Sequence, residues 1–120
     1  MTAQKMIEKA MLLLGLGDMQ GNVADPRFQN SALIAVNMTY ADLFYVKGGK
    51  DFTEISDTSQ SLNLDERTLN DVMPYGVASF IAQSLGDIDN QQYFSMIYNT
   101  KRKTVVNTDS IQDTLPSVEG

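Results

Sequence analysis

The chain has 120 residues, with nine Lys and Arg against fifteen Asp and Glu and no His, for a formal charge of −6; this balance argues against a nucleic-acid binder or a protein that docks on anionic membranes. Cys, His and Trp are absent, which excludes thiolate zinc sites, disulfide frameworks, imidazole-dependent metal sites and Ser-His-Asp or Cys-His catalysis. The length fits one domain that buries roughly two-thirds of its unfolded surface.

The spacing predicts a first helix over 2–16. Thr2 caps it, Met6, Ala10, Leu13 and Leu14 form its apolar stripe with Ile7 and Met11 beside them, and Gly15 and Gly17 stop it. The run Ala10 to Leu14 is the longest strongly apolar one, far short of the roughly 18 residues that a membrane-spanning helix needs. With no secretory signal pattern around it, the expectation is a cytoplasmic chain.

Asp25-Pro26 opens a second helix, with a carboxylate at the N-cap and a proline at the first position. It runs to about Val46 with Phe28, Ala32, Val36, Tyr40, Leu43 and Phe44 on one face, and Gln29, Asn30, Asn37 and Asp42 elsewhere. Lys47 to Lys50 ends it. Residues 51–63 read as a polar loop anchored by Phe52, Ile55 and Leu62, with a weak strand signal near 52–55.

Asp65 caps a short helix through Val72, which Pro74 is expected to break or kink. A fourth helix from Pro74 to Leu85 is apolar around most of its girth, with Ala78, Ile81, Ala82 and Leu85 on one face, and so should lie buried at the centre. After Gly86, Asp89 and Gln92 have the spacing of a capping box for a fifth helix that packs through Phe94, Ile97, Tyr98 and Val105. Lys101-Arg102-Lys103 suits its C-terminal dipole. The reading is an all-α bundle of four to five helices over 1–105, followed by a flexible tail over 106–120 in which only Ile111, Leu115 and Val118 are large and apolar.

No motif carries catalysis, a cofactor or a metal. The alternation at Asp87, Asp89 and Asn90 resembles the start of a calcium loop, but Gln92 stands where the loop needs glycine and no bidentate Glu follows. Phosphate loops, dinucleotide fingerprints and nucleophile elbows are missing, and acid pairs such as Asp65 and Glu66 are explained by the helix dipole. Asn37-Met-Thr39 is a glycosylation sequon inside a helix, without meaning in a chain that is not secreted. What remains is contact chemistry. Tyr75 and Tyr93 suit subunit interfaces, since a ring can bury while its hydroxyl stays wet. Lys101, Arg102 and Lys103 are either a solvated helix end or a local phosphate contact, and Ile111, Leu115 and Val118 can order on a partner.

Leu69-Asn-Asp-Val-Met-Pro-Tyr-Gly-Val-Ala-Ser-Phe-Ile-Ala-Gln-Ser-Leu-Gly-Asp, then Asn90-Gln-Gln-Tyr-Phe and Tyr98-Asn-Thr-Lys-Arg, with Ala35-Val-Asn-Met-Thr-Tyr-Ala-Asp-Leu before them, resembles the head-tail connector (adaptor, head-completion) proteins of long-tailed bacteriophages and prophages. The resemblance covers residues 3 to about 104 and is most specific at Pro74 to Ala78. It implies a small helical structural subunit, not an enzyme, that forms a homo-oligomeric ring beneath the portal protein, helps retain packaged DNA without sequence-specific binding, and docks tail or stopper proteins. The implied location is the head-tail junction of the virion, reached from the host cytoplasm during assembly, and the implied tail of the subunit engages neighbouring ring components. A small helical interaction or regulatory module is the alternative reading, and an enzyme subunit completed on association is a third.

Overall fold

The computed structural model describes residues 1–16 and 26–105. They form four α-helices, α1 (Ala3–Leu13), α2 (Pro26–Val46), α3 (Met73–Ser84) and α4 (Ile88–Arg102), with a π-helical turn, Thr68–Val72, leading directly into α3. Among the described residues there is no strand, only an isolated bridge between Thr2 and Ser61. The fold is therefore an all-α bundle, and α2 has the bounds that its sequence predicts. Its cap at Asp25 and the tail over 106–120 lie outside the described residues.

The helix ends follow from local chemistry. Thr2 accepts a hydrogen bond from the Lys5 N–H, and Asp65 accepts from both the N–H and the hydroxyl of Thr68. These contacts satisfy donors that have no carbonyl partner at a helix start. Gly15, Gly48 and Gly86 sit at positive φ where α1, α2 and α3 end. In each case the next N–H reaches back to a carbonyl five residues earlier, as in Leu16 to Met11, Gly49 to Phe44 and Asp87 to Ala82. Only a residue without Cβ takes that conformation at no steric cost.

α3 is the central helix, as its composition predicts. It packs against α1, α2 and α4, and buries Met73, Val77, Ala78, Ile81 and Ala82. Full burial of a Met, Val or Ile side chain stabilises the fold by about 1.5–3 kcal/mol, so this helix contributes much of the core. Leu85, expected on the same buried face, is instead exposed, because it is the C-cap where the chain turns away. Leu13 of α1 is also solvent-facing, while Met6, Ile7, Ala10 and Met11 carry that helix's packing.

Three local expectations are corrected. Pro74 does not break the chain: residues 66–84 stay helical throughout, and the Met73 N–H reaches the Thr68 carbonyl across the wider π turn. Pro74 lacks an N–H and lies in the first turn of α3, where the preceding wide turn removes the need for one. The cap of α4 is Asp87, which accepts from the N–H and side-chain amide of Asn90; Asp89 falls inside the first turn. Finally, the loop over 51–63 has no strand pairing near 52–55. Its carbonyls at Thr58 and Gln60 instead accept the first free N–H groups of α1, from Gln4 and Ala3.

Polar side chains in α2 anchor the same loop. The Asn37 side-chain amide donates to the Ile55 carbonyl at 2.9 Å and accepts from the Ile55 N–H at 2.7 Å. The Tyr40 hydroxyl accepts from the Asn63 N–H at 2.9 Å. Asn37 therefore acts as a backbone clamp, with its side-chain oxygen and one amide N–H both engaged by Ile55.

Candidate functional site

The residues singled out for partner contact fall into three groups. Tyr75 and Lys101 come together, with the Lys101 ammonium 5.1 Å from the Tyr75 ring centre and 2.9 Å from the Asp71 carboxylate. Tyr75 also lies 6.3 Å, centroid to centroid, from the Phe94 ring. Tyr93 is exposed on α4, and Lys103 is exposed at its C-cap. Ile111, Leu115 and Val118 lie outside the described residues.

Arg102 belongs to a separate arrangement. Its guanidinium makes two hydrogen bonds to Asp42, at 2.6 and 2.8 Å, and the Tyr98 hydroxyl donates to the same carboxylate at 2.6 Å. Asp42 is on α2 and the other two residues are on α4, so the cluster ties together the C-terminal ends of the helices that flank α3. The basic triplet is thus neither a purely solvated terminus nor a single cationic patch. Two of its members are held in ion pairs within the chain, and Lys103 extends outward.

Gly76 lets these helices approach. A Cβ there would lie 2.6 Å from the Thr39 methyl and 2.8 Å from the Tyr98 ring. Position 76 therefore admits only hydrogen where α2, α3 and α4 converge. Beside it Thr39 is fully buried, and its hydroxyl donates back to the Ala35 carbonyl.

Electrostatics fixes these groups in one charge state. The Arg102 hydrogen bonds outweigh partial burial and, with the Tyr98 hydroxyl, hold the Asp42 carboxyl below its ordinary range. Burial, reinforced by the Asp42 charge, pushes the Tyr98 hydroxyl well above its ordinary value. The Lys101 contact lowers Asp71, and Asp71 raises Lys101. Partial burial of Asp65 opposes ionisation, yet hydrogen bonds from Lys47 and Thr68 bring it down to about 2. All of these shifts stabilise the form already present at neutral pH, the reverse of what a general acid or base working there requires. Among the described residues no three acidic side chains lie close enough to hold a metal ion, and no helix is long and apolar enough to cross a membrane.

Away from this tied end, the surface carries apolar side chains. Ile34 and Met38, each about half exposed, line a groove of about 400 Å³ between α2 and α3 together with Phe80, Gln83 and Ser84. Leu85 and Ile88 project beside it in sequence at the turn into α4. On α4, Tyr93 and Met96 are 54% and 61% exposed, and Met96 sits among Gln92, Ser95, Asn99 and Lys103 in a shallow polar groove. A large apolar side chain that is half exposed forgoes roughly half of the 1.5–3 kcal/mol that full burial contributes, so these positions suit contact with another surface.

Tyr93 and the basic residues are contact candidates from the sequence, whereas the inter-helix contacts of Asp42, the loop clamp of Asn37 and the close approach at Gly76 emerge only from the structure. The glycine was the readable signal: an isolated Gly inside an apolar helix costs stability unless something packs close against it. No family model, curated protein or solved structure matches this chain.

Proposed function

We propose that the protein is a structural subunit of the phage head-tail connector type, which assembles side by side into a ring beneath a portal, helps retain packaged DNA and presents a docking surface to tail or stopper proteins. The observation that carries this reading is the exposure of large apolar side chains on both helices that flank α3: Ile34 and Met38 in the groove on α2, and Tyr93 and Met96 on the otherwise polar surface of α4. Different patches on two sides of one subunit suit head-to-tail association, which closes into a ring when the rotation between copies permits. Their Met and Tyr side chains are those enriched in interface cores.

Two further features support the reading. The segment that carries the resemblance, Pro74 to Ala78, coincides with the convergence point of the helices at Gly76. The ionisable clusters are committed to ion pairs between helices, which suits a rigid building block. In this role the DNA passes without base contacts, because an acidic subunit repels the polyanion instead of gripping it.

The test is electron microscopy of the purified chain mixed with portal rings under assembly conditions. The expected result is an added ring of density on the portal in wild type that disappears in an Ile34→Ser/Met38→Ser variant with unchanged helix content. Absence of any complex with portal would overturn the reading.

A further inference from the structure

Two stripes run along α2. Ala32, Val36, Thr39 and Leu43 face the bundle and are buried. The other stripe, Arg27, Ser31, Ile34, Met38, Ala41 and Tyr45, is open to water: Arg27, Ile34, Met38 and Tyr45 are exposed, and Ser31 and Ala41 are partly so. Its successive spacings of 4, 3, 4, 3 and 4 residues are those of the seam along which two helices pack at about 20°. A solvated helix face is ordinarily polar, yet residues 28–41 include no charged side chain.

Charge decides how a second copy fits this seam. Arg27 and Asp42 are the charged residues of 27–45 and lie toward opposite ends. A parallel pair of α2 helices would set Arg27 against Arg27 and Asp42 against Asp42, whereas an antiparallel pair keeps like charges apart. With Ile34 opposite Met38 of the other copy, the two-fold axis also sets Ser31 opposite Ala41 and Arg27 opposite Tyr45. The seam then has a large apolar centre, small side chains on either side and a cation against an aromatic ring at each end. Arg27 also reaches the carbonyl end of the other helix, the favourable end of its dipole for a cation. The two copies of Asp42 stand about 18 Å apart along the helix, beyond the Debye length of about 10 Å at 0.1 M salt.

The neighbouring elements add no like charge. On one flank α3 contributes Phe80, Gln83 and Ser84 to the groove that Ile34 and Met38 line. On the other, Asp57 lines a pocket together with Arg27, an acid beside a cation. On α4 the exposed Met96 is instead surrounded by Gln92, Ser95, Asn99 and Lys103, so no comparable apolar seam runs there.

We propose that the free chain forms a two-fold dimer in which α2 packs antiparallel on α2 of a second copy. Each α2 is already held helical by its own bundle, so pairing orders no further backbone. The seam is narrow beside a standard interface of about 800 Å² per partner, and the dimer therefore dissociates on dilution. In the connector reading Ile34 and Met38 meet a ring neighbour, which makes the dimer a store of free subunits that opens on assembly. The dimer itself does not depend on that reading.

The absence of cysteine permits a test of both partner and register. Ser31→Cys chains mixed with Ala41→Cys chains should cross-link under mild oxidation. Neither variant should cross-link with itself, since each cysteine lies about 15 Å along the helix from its own copy and a disulfide needs Cα atoms within about 7 Å. Sedimentation of the unaltered chain between about 10 μM and 1 mM, the range of weak contacts, should show the mass rising from one chain to two. Met38→Lys should remain monomeric over the same range with unchanged helix content. A wild-type chain that stays monomeric throughout overturns the proposal, as does a dimer that persists in Met38→Lys. So do equal cross-linking of Ser31→Cys with itself, and rings of the chain alone that lack the 31–41 cross-link. Failure to bind portal rings would leave every one of these outcomes unchanged, so the two readings fail separately.

Discussion

The two ends of the α2–α3–α4 layer rest on different physics. At one end Asp42, Tyr98 and Arg102 join α2 to α4, Asp71 and Lys101 join the π turn to α4, and Gly76 brings all three helices into contact. At the other end the turn between α3 and α4 is capped only by its own residues, and Leu85 and Ile88, which follow the groove residue Ser84 in the chain, are more than half exposed. Directional contacts fix the geometry of the first end, whereas the second retains unsatisfied apolar surface. The contrast separates what holds the subunit together from what is available to a neighbour.

Breaking the tied end should produce the largest effects. Tyr98→Ala removes a buried ring and the hydrogen bond to Asp42, and urea unfolding should show a loss of about 3–5 kcal/mol. Tyr98→Phe, which deletes only the hydroxyl and its hydrogen bond to the Asp42 carboxylate, should cost less, about 1.5–3 kcal/mol. A similar cost for both would mean that the ring packs less than its burial implies. Gly76→Ala should follow at about 1–3 kcal/mol from overpacking against Thr39 and Tyr98, despite the better helix propensity of alanine; a stabilised variant would show that the three helices can separate freely.

Charge at this end sets a smaller, pH-dependent contribution. Asp65 and Asp42 have lower carboxyl pKa values in the folded chain than in the unfolded one. Their contribution is therefore present above the unfolded value near 4 and disappears as pH falls through the folded value, about 2 for Asp65. Unfolding titrations between pH 5 and 2, on the order of the window these values define, should show a steep loss of stability in wild type and a shallower one in Asp65→Asn. Identical slopes would remove Asp65 from the account. Least affected should be the apolar end: Leu85→Ser or Ile34→Ser should change stability by no more than about 0.5 kcal/mol, since neither side chain is buried. A loss of several kcal/mol in either variant would show that this surface belongs to the core and would erase the contrast.

Local grammar made much of the fold legible. The bounds of α2, the caps at Thr2 and Asp65, the glycine stops and the burial of α3 follow from spacing and from residues that act within one turn. The clusters were not legible, because Asp42 meets Tyr98 and Arg102 across 56 and 60 residues of chain. An aspartate on the less apolar side of a helix gives no sign of such a partner. The α4 cap was misplaced because Asp87 and Asp89 both precede polar residues at suitable spacing, and only the backbone selects between them.

The π turn at Thr68–Val72 puts the two halves of one rod out of phase. Five residues there do the work that four do in an α-helix, so everything downstream is rotated by roughly 100° from the position a steady period assigns. Across Pro74 the apolar rhythm therefore skips a beat without the rod ending. A single deletion at exposed Asn70 would restore the beat only by demanding from Pro74 a donor it lacks, so the extra residue and the proline are two halves of one accommodation, each keeping the other in place.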